Sequence, residues 1–106
     1  MELLSPTQKR GLKRLISILN NADQKKFSKG LIISRLNGGY RYCSLGIVAK
    51  ELGYWEDGES HFQSAYDFVR HELNIPTEVT NEIIHQNDNE CESYKCVAKS
   101  IKEQFL

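Results

Sequence analysis

The chain has 106 residues, 40% of them hydrophobic and 26% charged, with a formal net charge of zero at pH 7. That length suits one domain spanning residues 1–106 with a single modest core. No run of about 18 apolar residues occurs, which argues against a transmembrane helix and a membrane partner. The zero net charge conceals an asymmetry. Residues 1–50 hold ten Lys/Arg against Glu2 and Asp23, a net +8, and residues 51–106 hold four against twelve acids, a net −8. Either the surface is electrically polar and steers an acidic partner to one side, or the halves fold together and interleave their charges.

The start, Met1-Glu2-Leu3-Leu4-Ser5-Pro6, lacks the charged region and apolar stretch of a signal peptide. Ser5 with Gln8 three residues on fits a capping box, and Pro6 suits the first helical position. Leu12, Leu15, Ile16 and Leu19 then mark one buried stripe, with Lys9, Arg10, Lys13 and Arg14 on the outer face. This helix is expected to end near Asn20-Asn21. After a polar link and Phe27, the apolar run 31–36, the turn Asn37-Gly38-Gly39 and Tyr40-Arg41-Tyr42 predict a β-hairpin. The period then switches from 2 to 3.6. Leu45, Val48, Ala49 and Leu52 form a helical stripe closed by Gly53. Gly46, in its first turn, is unfavourable unless a neighbour approaches closely.

Tyr54-Trp55 begins a loop that reaches Glu59, and Ser60 caps a third helix carrying Phe62, Ala65, Val69 and Leu73, ended by Asn74. Ile75-Pro76-Thr77 opens a short fourth helix with Val79 and Ile83 on one face. Gln86-Asn87-Asp88-Asn89 reads as a polar turn, and Asn89 with Glu92 as a second capping box. The last helix carries Tyr94, Val97, Ala98, Ile101 and Phe105. The expected class is therefore α+β, a mostly helical single domain with one β-hairpin in the order α-β-β-α-α-α-α. A lone hairpin is marginal, so helices 1, 2 and 5 are expected to cover one of its faces.

Cys43, Cys91 and Cys96 cannot all pair within one chain. Without a secretion signal they suggest free thiols in a reducing cytoplasm. On one helix, Cys91 and Cys96 would lie about 140° apart, which disfavours a disulfide. No Cys-x-x-Cys or His-x-x-x-His spacing occurs, so neither a metal nor a cofactor is expected.

Two stretches carry a resemblance. Tyr42-Cys43-Ser44-Leu45-Gly46-Ile47 after a Gly-rich hairpin, then Pro76-Thr77-Glu78-Val79 through Asn87-Asp88 to Val97-Ala98 and Ile101, resemble a family of small uncharacterised phage-encoded and related bacterial proteins. The similarity covers roughly residues 27–105, and this chain has Ser44 where many members carry a second Cys or a small residue. The resemblance implies a shared fold and a phage-type accessory role in the host-cell cytoplasm, and no particular reaction. A host or bacterial protein, for instance a defence component, is then the leading partner class. Tyr54 and Trp55 are its candidate anchors, unless both close the core.

Other readings stay open. Cys43 stands where a strand meets a helix start, a position that stabilises a thiolate, so a cysteine-dependent hydrolase or transferase with His85 as base is one of them. The other is that Cys43 packs as a small hydrophobe and His85 is a solvated surface residue. Asn87 and Asp88 cap their own turn, bridge to the amides near Cys43 and Gly46, or contact a ligand. Lys9, Arg10, Lys13 and Arg14, with Lys25, Lys26 and Lys29, suit nucleic-acid or nucleotide phosphates, or simply form a solvated face.

Overall fold

Ser5 opens the first helix as a capping box. Its Oγ accepts from the Gln8 amide at 3.1 Å, and its own amide donates to Gln8 Oε1 at 2.9 Å. In the computed structural model, which describes residues 3–29, 33–36, 39–54 and 62–106, this helix α1 runs Pro6–Asn21. Leu12, Leu15, Ile16 and Leu19 are its buried face, as their spacing requires. The polar link that follows is a 3-10 turn, Gln24–Lys26, entered through Asp23, whose carboxylate accepts from the Lys25 amide at 3.0 Å.

Strands β1 (Ile33–Leu36) and β2 (Gly39–Tyr42) pair antiparallel, with Ile33 opposite Tyr42 and Leu36 opposite Gly39. The expected turn residues Asn37 and Gly38, and the start of the first strand at 31–32, lie outside the described residues. The other edge of β2 is also used: Phe27 makes a parallel bridge to Tyr42, and the Ser28 amide donates to the Tyr42 carbonyl at 3.0 Å. The strand pair therefore rests chiefly on the 3-10 turn and the start of the next helix, and Tyr42 is wholly buried.

Helix α2 spans Ser44–Glu51 and is buried from Ser44 to Ala49. It ends as expected at Gly53, whose φ of +87° lets the Tyr54 amide return to the Ala49 carbonyl at 3.0 Å. The Ser60 cap and loop residues 55–59 lie outside the described residues. Helices α3 (Phe62–Glu72) and α4 (Thr77–His85) bury Ala65, Val69, Val79 and Ile83, and α5 (Tyr94–Phe105) buries Tyr94, Val97, Ala98 and Ile101. The described residues are mostly helical, with α5 packed along α1 and α2 against α3. No helix among them is long and apolar enough to cross a membrane.

Three expectations change here. Gln86–Glu90 is no simple turn: the chain continues from α4 as a π-helical turn, closed by the Cys91 amide on the Gln86 carbonyl at 2.8 Å. The second capping box does not form. Ser93 caps α5 through the Cys96 amide at 3.1 Å, while Asn89 turns back to the His85 carbonyl at 3.2 Å. That shift of the helix start overturns the reading of Cys91 and Cys96 as free thiols. Cys91 lies in extended backbone (φ −115°, ψ 153°) before α5, so the helical separation never applied. Their Cα atoms are 5.5 Å apart and the two are joined as a disulfide, leaving Cys43 as the free cysteine.

Candidate functional site

The junction between β2 and α2 has a local defect. Cys43 occupies the N-cap position, and its side chain makes no capping hydrogen bond. The missing acceptor comes from 43 residues away. Asn87, in the π turn, accepts with Oδ1 from the Ser44 amide at 2.9 Å and from Ser44 Oγ at 2.7 Å. Its Nδ2 donates to the Ser28 carbonyl at 3.0 Å and to Asp88 Oδ1 at 2.9 Å. Asn87 and Ser44 are 1% and 0% exposed. Beside them the Tyr94 hydroxyl lies 2.8 Å from the Lys26 carbonyl and 2.5 Å from that of Tyr42. Burial raises the pKa of that hydroxyl and keeps it a neutral donor. The Tyr94 ring meets Phe27 edge-on at 5.3 Å. One buried polar cluster thus ties segments 26–28, 42–44 and 86–88 to α5.

This arrangement decides what Cys43 can do. The amides of Leu45 and Gly46, the latter buried in the first turn of α2, act to lower its pKa. Burial acts more strongly the other way, aided by the Asp88 carboxylate, and the thiol is pushed up to about 11. It is therefore protonated at neutral pH and only 7% exposed. His85 is not set against it: Nδ1 lies 3.3 Å from Asn89 Nδ2 and Nε2 lies 3.8 Å from Glu90 Oε1, on the exposed side of the π turn. The geometry of a thiol nucleophile with an imidazole base is not assembled.

Cysteine labelling checks both points at once. In the native, unreduced protein Cys43 is expected to alkylate at pH 7 far more slowly than free cysteine, and denaturant alone is expected to release one thiol per chain. Three thiols on unfolding without reductant would remove the disulfide. A native rate at or above that of free cysteine would restore the nucleophile.

The remaining predicted residues are dispersed. Tyr54 is half-buried, with its ring centroid 4.8 Å from that of Phe68, so it packs against the core. Trp55 lies outside the described residues. Lys29 pairs with Glu92. Lys9, Arg10, Lys13 and Arg14 are all exposed, and none has a carboxylate partner among the described residues. Sequence reading did not connect the lysines of α5 with this helix. Helix α5, packed along α1, exposes Lys95, Lys99 and Lys102 and carries only Glu103 in opposition. Helix α1 has no acidic residue at all. Their i, i+4, i+7 spacing along α5 was the available signal, hidden because they sit in the acidic half. Among the described residues no group of three or more His, Cys, Asp or Glu is placed to hold a metal ion. Comparison of the chain with protein-family models, with curated proteins and with solved structures finds no match in any of the three.

Proposed function

We propose that the protein acts by binding, and that its partner is a nucleic-acid phosphate backbone held on the cationic face of α1 and α5. The observation that carries this is the pairing of two adjacent helices with seven exposed Lys/Arg and one carboxylate. Like charges at i, i+4 on α1 repel one another in the free protein and are relieved by an anion. A face of lysine and arginine without an exposed aromatic suits phosphate contacts, which position a protein without reading sequence. It suits a protein partner less well, because the centres of such interfaces are poor in lysine and rich in aromatic side chains. A phage-type accessory protein that binds a host protein, as the resemblance implies, is the alternative; it draws on the Tyr54-Trp55 loop, where Tyr54 is committed to Phe68.

Fluorescence anisotropy with a labelled DNA duplex tests the reading. Binding is expected at low salt, with a log–log salt slope of about −4 to −6 for roughly five or six phosphate contacts. Replacing both Lys13 and Arg14 by Gln is expected to reduce that slope by about two. A duplex that does not bind at low ionic strength sinks the proposal, and capture of a host protein that Trp55→Ala weakens would favour the alternative.

Two finer readings go with it. We read the pair β1 and β2 as a β-hairpin, which makes the fold α+β. The place of action is read as the cytoplasm, that of the host cell if the chain is phage-encoded. The Cys91–Cys96 disulfide weighs against this, because cytoplasmic thiols are kept reduced.

A further inference from the structure

The Cys91–Cys96 bridge joins two sulfurs in different surroundings. Cys91 follows the π turn in extended backbone and is 1% exposed, whereas Cys96 lies in the first turn of α5 and is exposed. Thiol–disulfide exchange is a displacement in which the attacking, attacked and leaving sulfurs stand in line, so access decides which sulfur is attacked. In this bridge the outer sulfur is open to attack and the buried one is the leaving group.

The bridge is not what holds this segment. Its ends are five residues apart, and a cross-link closing so short a loop constrains the unfolded chain less than one closing a long loop. The same stretch is fixed independently. The Cys91 amide donates to the Gln86 carbonyl at 2.8 Å, the Lys95 amide to Gln24 Oε1 at 3.0 Å and the Cys96 amide to Ser93 Oγ at 3.1 Å. The Tyr94 hydroxyl, between them, is held by the Lys26 and Tyr42 carbonyls. Opening the bridge therefore leaves the start of α5 in place. The surroundings also suit the opened form. Gln86 donates from Nε2 to Glu82 Oε1 at 2.8 Å, and its own Oε1 stands 3.9 Å from Cys91 Sγ. A disulfide sulfur has no hydrogen to offer that oxygen, and a Cys91 thiol does. Around the outer sulfur the neighbouring charge is positive. Lys95 precedes Cys96 and Lys99 lies one turn on along α5, while the nearest acids in sequence, Glu92 and Glu90, sit against Lys29 and His85.

We infer that Cys91–Cys96 is an exchangeable bridge and that Cys96 is a site of S-thiolation by small anionic thiols of the glutathione class. The thiolate attacks Cys96 Sγ and forms a new S–S bond to it. The Cys91–Cys96 bond breaks, and its electron pair leaves on Cys91 Sγ, which takes a proton from solvent and donates to Gln86 Oε1. A second thiolate, attacking the outer sulfur of the mixed disulfide, gives a linear disulfide and the Cys96 thiol. Two small thiols are then oxidised as the bridge gains two electrons, and the reverse steps close it again. The inference goes beyond the nucleic-acid reading and does not rest on it. A bridge that opens in this way is also the kind a reducing cytoplasm tolerates.

The test incubates the native, unreduced full chain with a mixture of reduced and oxidised glutathione, quenches with acid, and reads intact mass and peptide maps. Near-ultraviolet circular dichroism follows the fold. One glutathione per chain is expected, on Cys96, with Cys91 and Cys43 unmodified and the native signal kept. At low salt the reaction is expected to run about threefold faster than with cysteamine and cystamine, whose thiol is cationic, and the difference to shrink as salt rises. Cys91→Ser removes the bridge and frees Cys96; oxidised glutathione is then expected to modify Cys96 about tenfold or more faster than the buried Cys43. In Cys96→Ser, Cys91 is expected to stay unmodified until denaturant is added. Should either variant fail to fold, the wild-type map decides alone. An adduct on Cys91, no adduct on Cys96, or a bridge that opens only as the near-ultraviolet signal is lost overturns the proposal. So do three free thiols in the unreduced protein, and a cysteamine rate as high as that of glutathione overturns the preference for an anionic thiol.

Discussion

Replacing Asn87 by alanine is expected to destabilise the protein by about 3–5 kcal/mol, more than any other polar substitution in the molecule. The amide side chain uses its full capacity, accepting twice from Ser44 and donating once each to Ser28 and Asp88. Truncation leaves the Ser44 amide, the Ser44 hydroxyl and the Ser28 carbonyl without this partner, with Ser44 fully enclosed. Each buried group left so costs about 1–3 kcal/mol, and the sum falls short of additive because the three share one site. Equilibrium urea unfolding measures the loss as a lowered midpoint at unchanged slope. Asn87→Asp is the informative companion. It keeps an acceptor for Ser44 but cannot donate to Ser28, and it buries a charge beside Asp88, so it is expected to recover little at neutral pH. A double-mutant cycle with Ser44→Ala should show a coupling of about 1–2 kcal/mol. If Asn87→Ala unfolds at the wild-type urea concentration, the cap on α2 contributes nothing.

The reason this residue could be singled out, but not explained, lies in how far each signal reaches along the chain. The Ser5–Gln8 box, the stripe of α1 and the Gly53 terminus are interactions within a few residues, and the sequence reading of each matches the structure. Asn87 was legible as a capping residue, with the amides near Cys43 as one of several possible targets. Which target it takes depends on how the π turn is brought against β2, and no local spacing encodes that. The cysteines show how small an error suffices. Placing the start of α5 at Asn89 instead of Ser93 put Cys91 on the helix and made a disulfide with Cys96 look unfavourable. The lysines of α5 were visible, yet counting charge by halves of the chain concealed that the helix carrying them packs along α1. Charge that is distant in sequence and adjacent in space is read only from the packing. Phe27 is similar: in sequence it closes a polar link, and in the structure it bridges to Tyr42 and supports Tyr94.

Gly11 is the second position where a single atom is expected to matter, and there the prediction runs against helix propensity. It lies inside α1, where Gly→Ala ordinarily gains about 1 kcal/mol. Here a Cβ would stand 1.6 Å from the carbonyl oxygen of Leu73 and 2.7 Å from its carbon. The obstacle is backbone, and it is held on both sides: Leu73 and Ile75 are each 2% exposed, and Asn74 between them is fixed in a left-handed conformation. The corner between α3 and α4 cannot withdraw without pulling both apolar side chains from the core. Overlap of this kind costs roughly 3 kcal/mol or more, which exceeds the propensity gain. Gly11→Ala is therefore expected to lower the melting temperature by on the order of 10 °C. A rise in melting temperature would mean that α1 and the α3–α4 corner are not in contact.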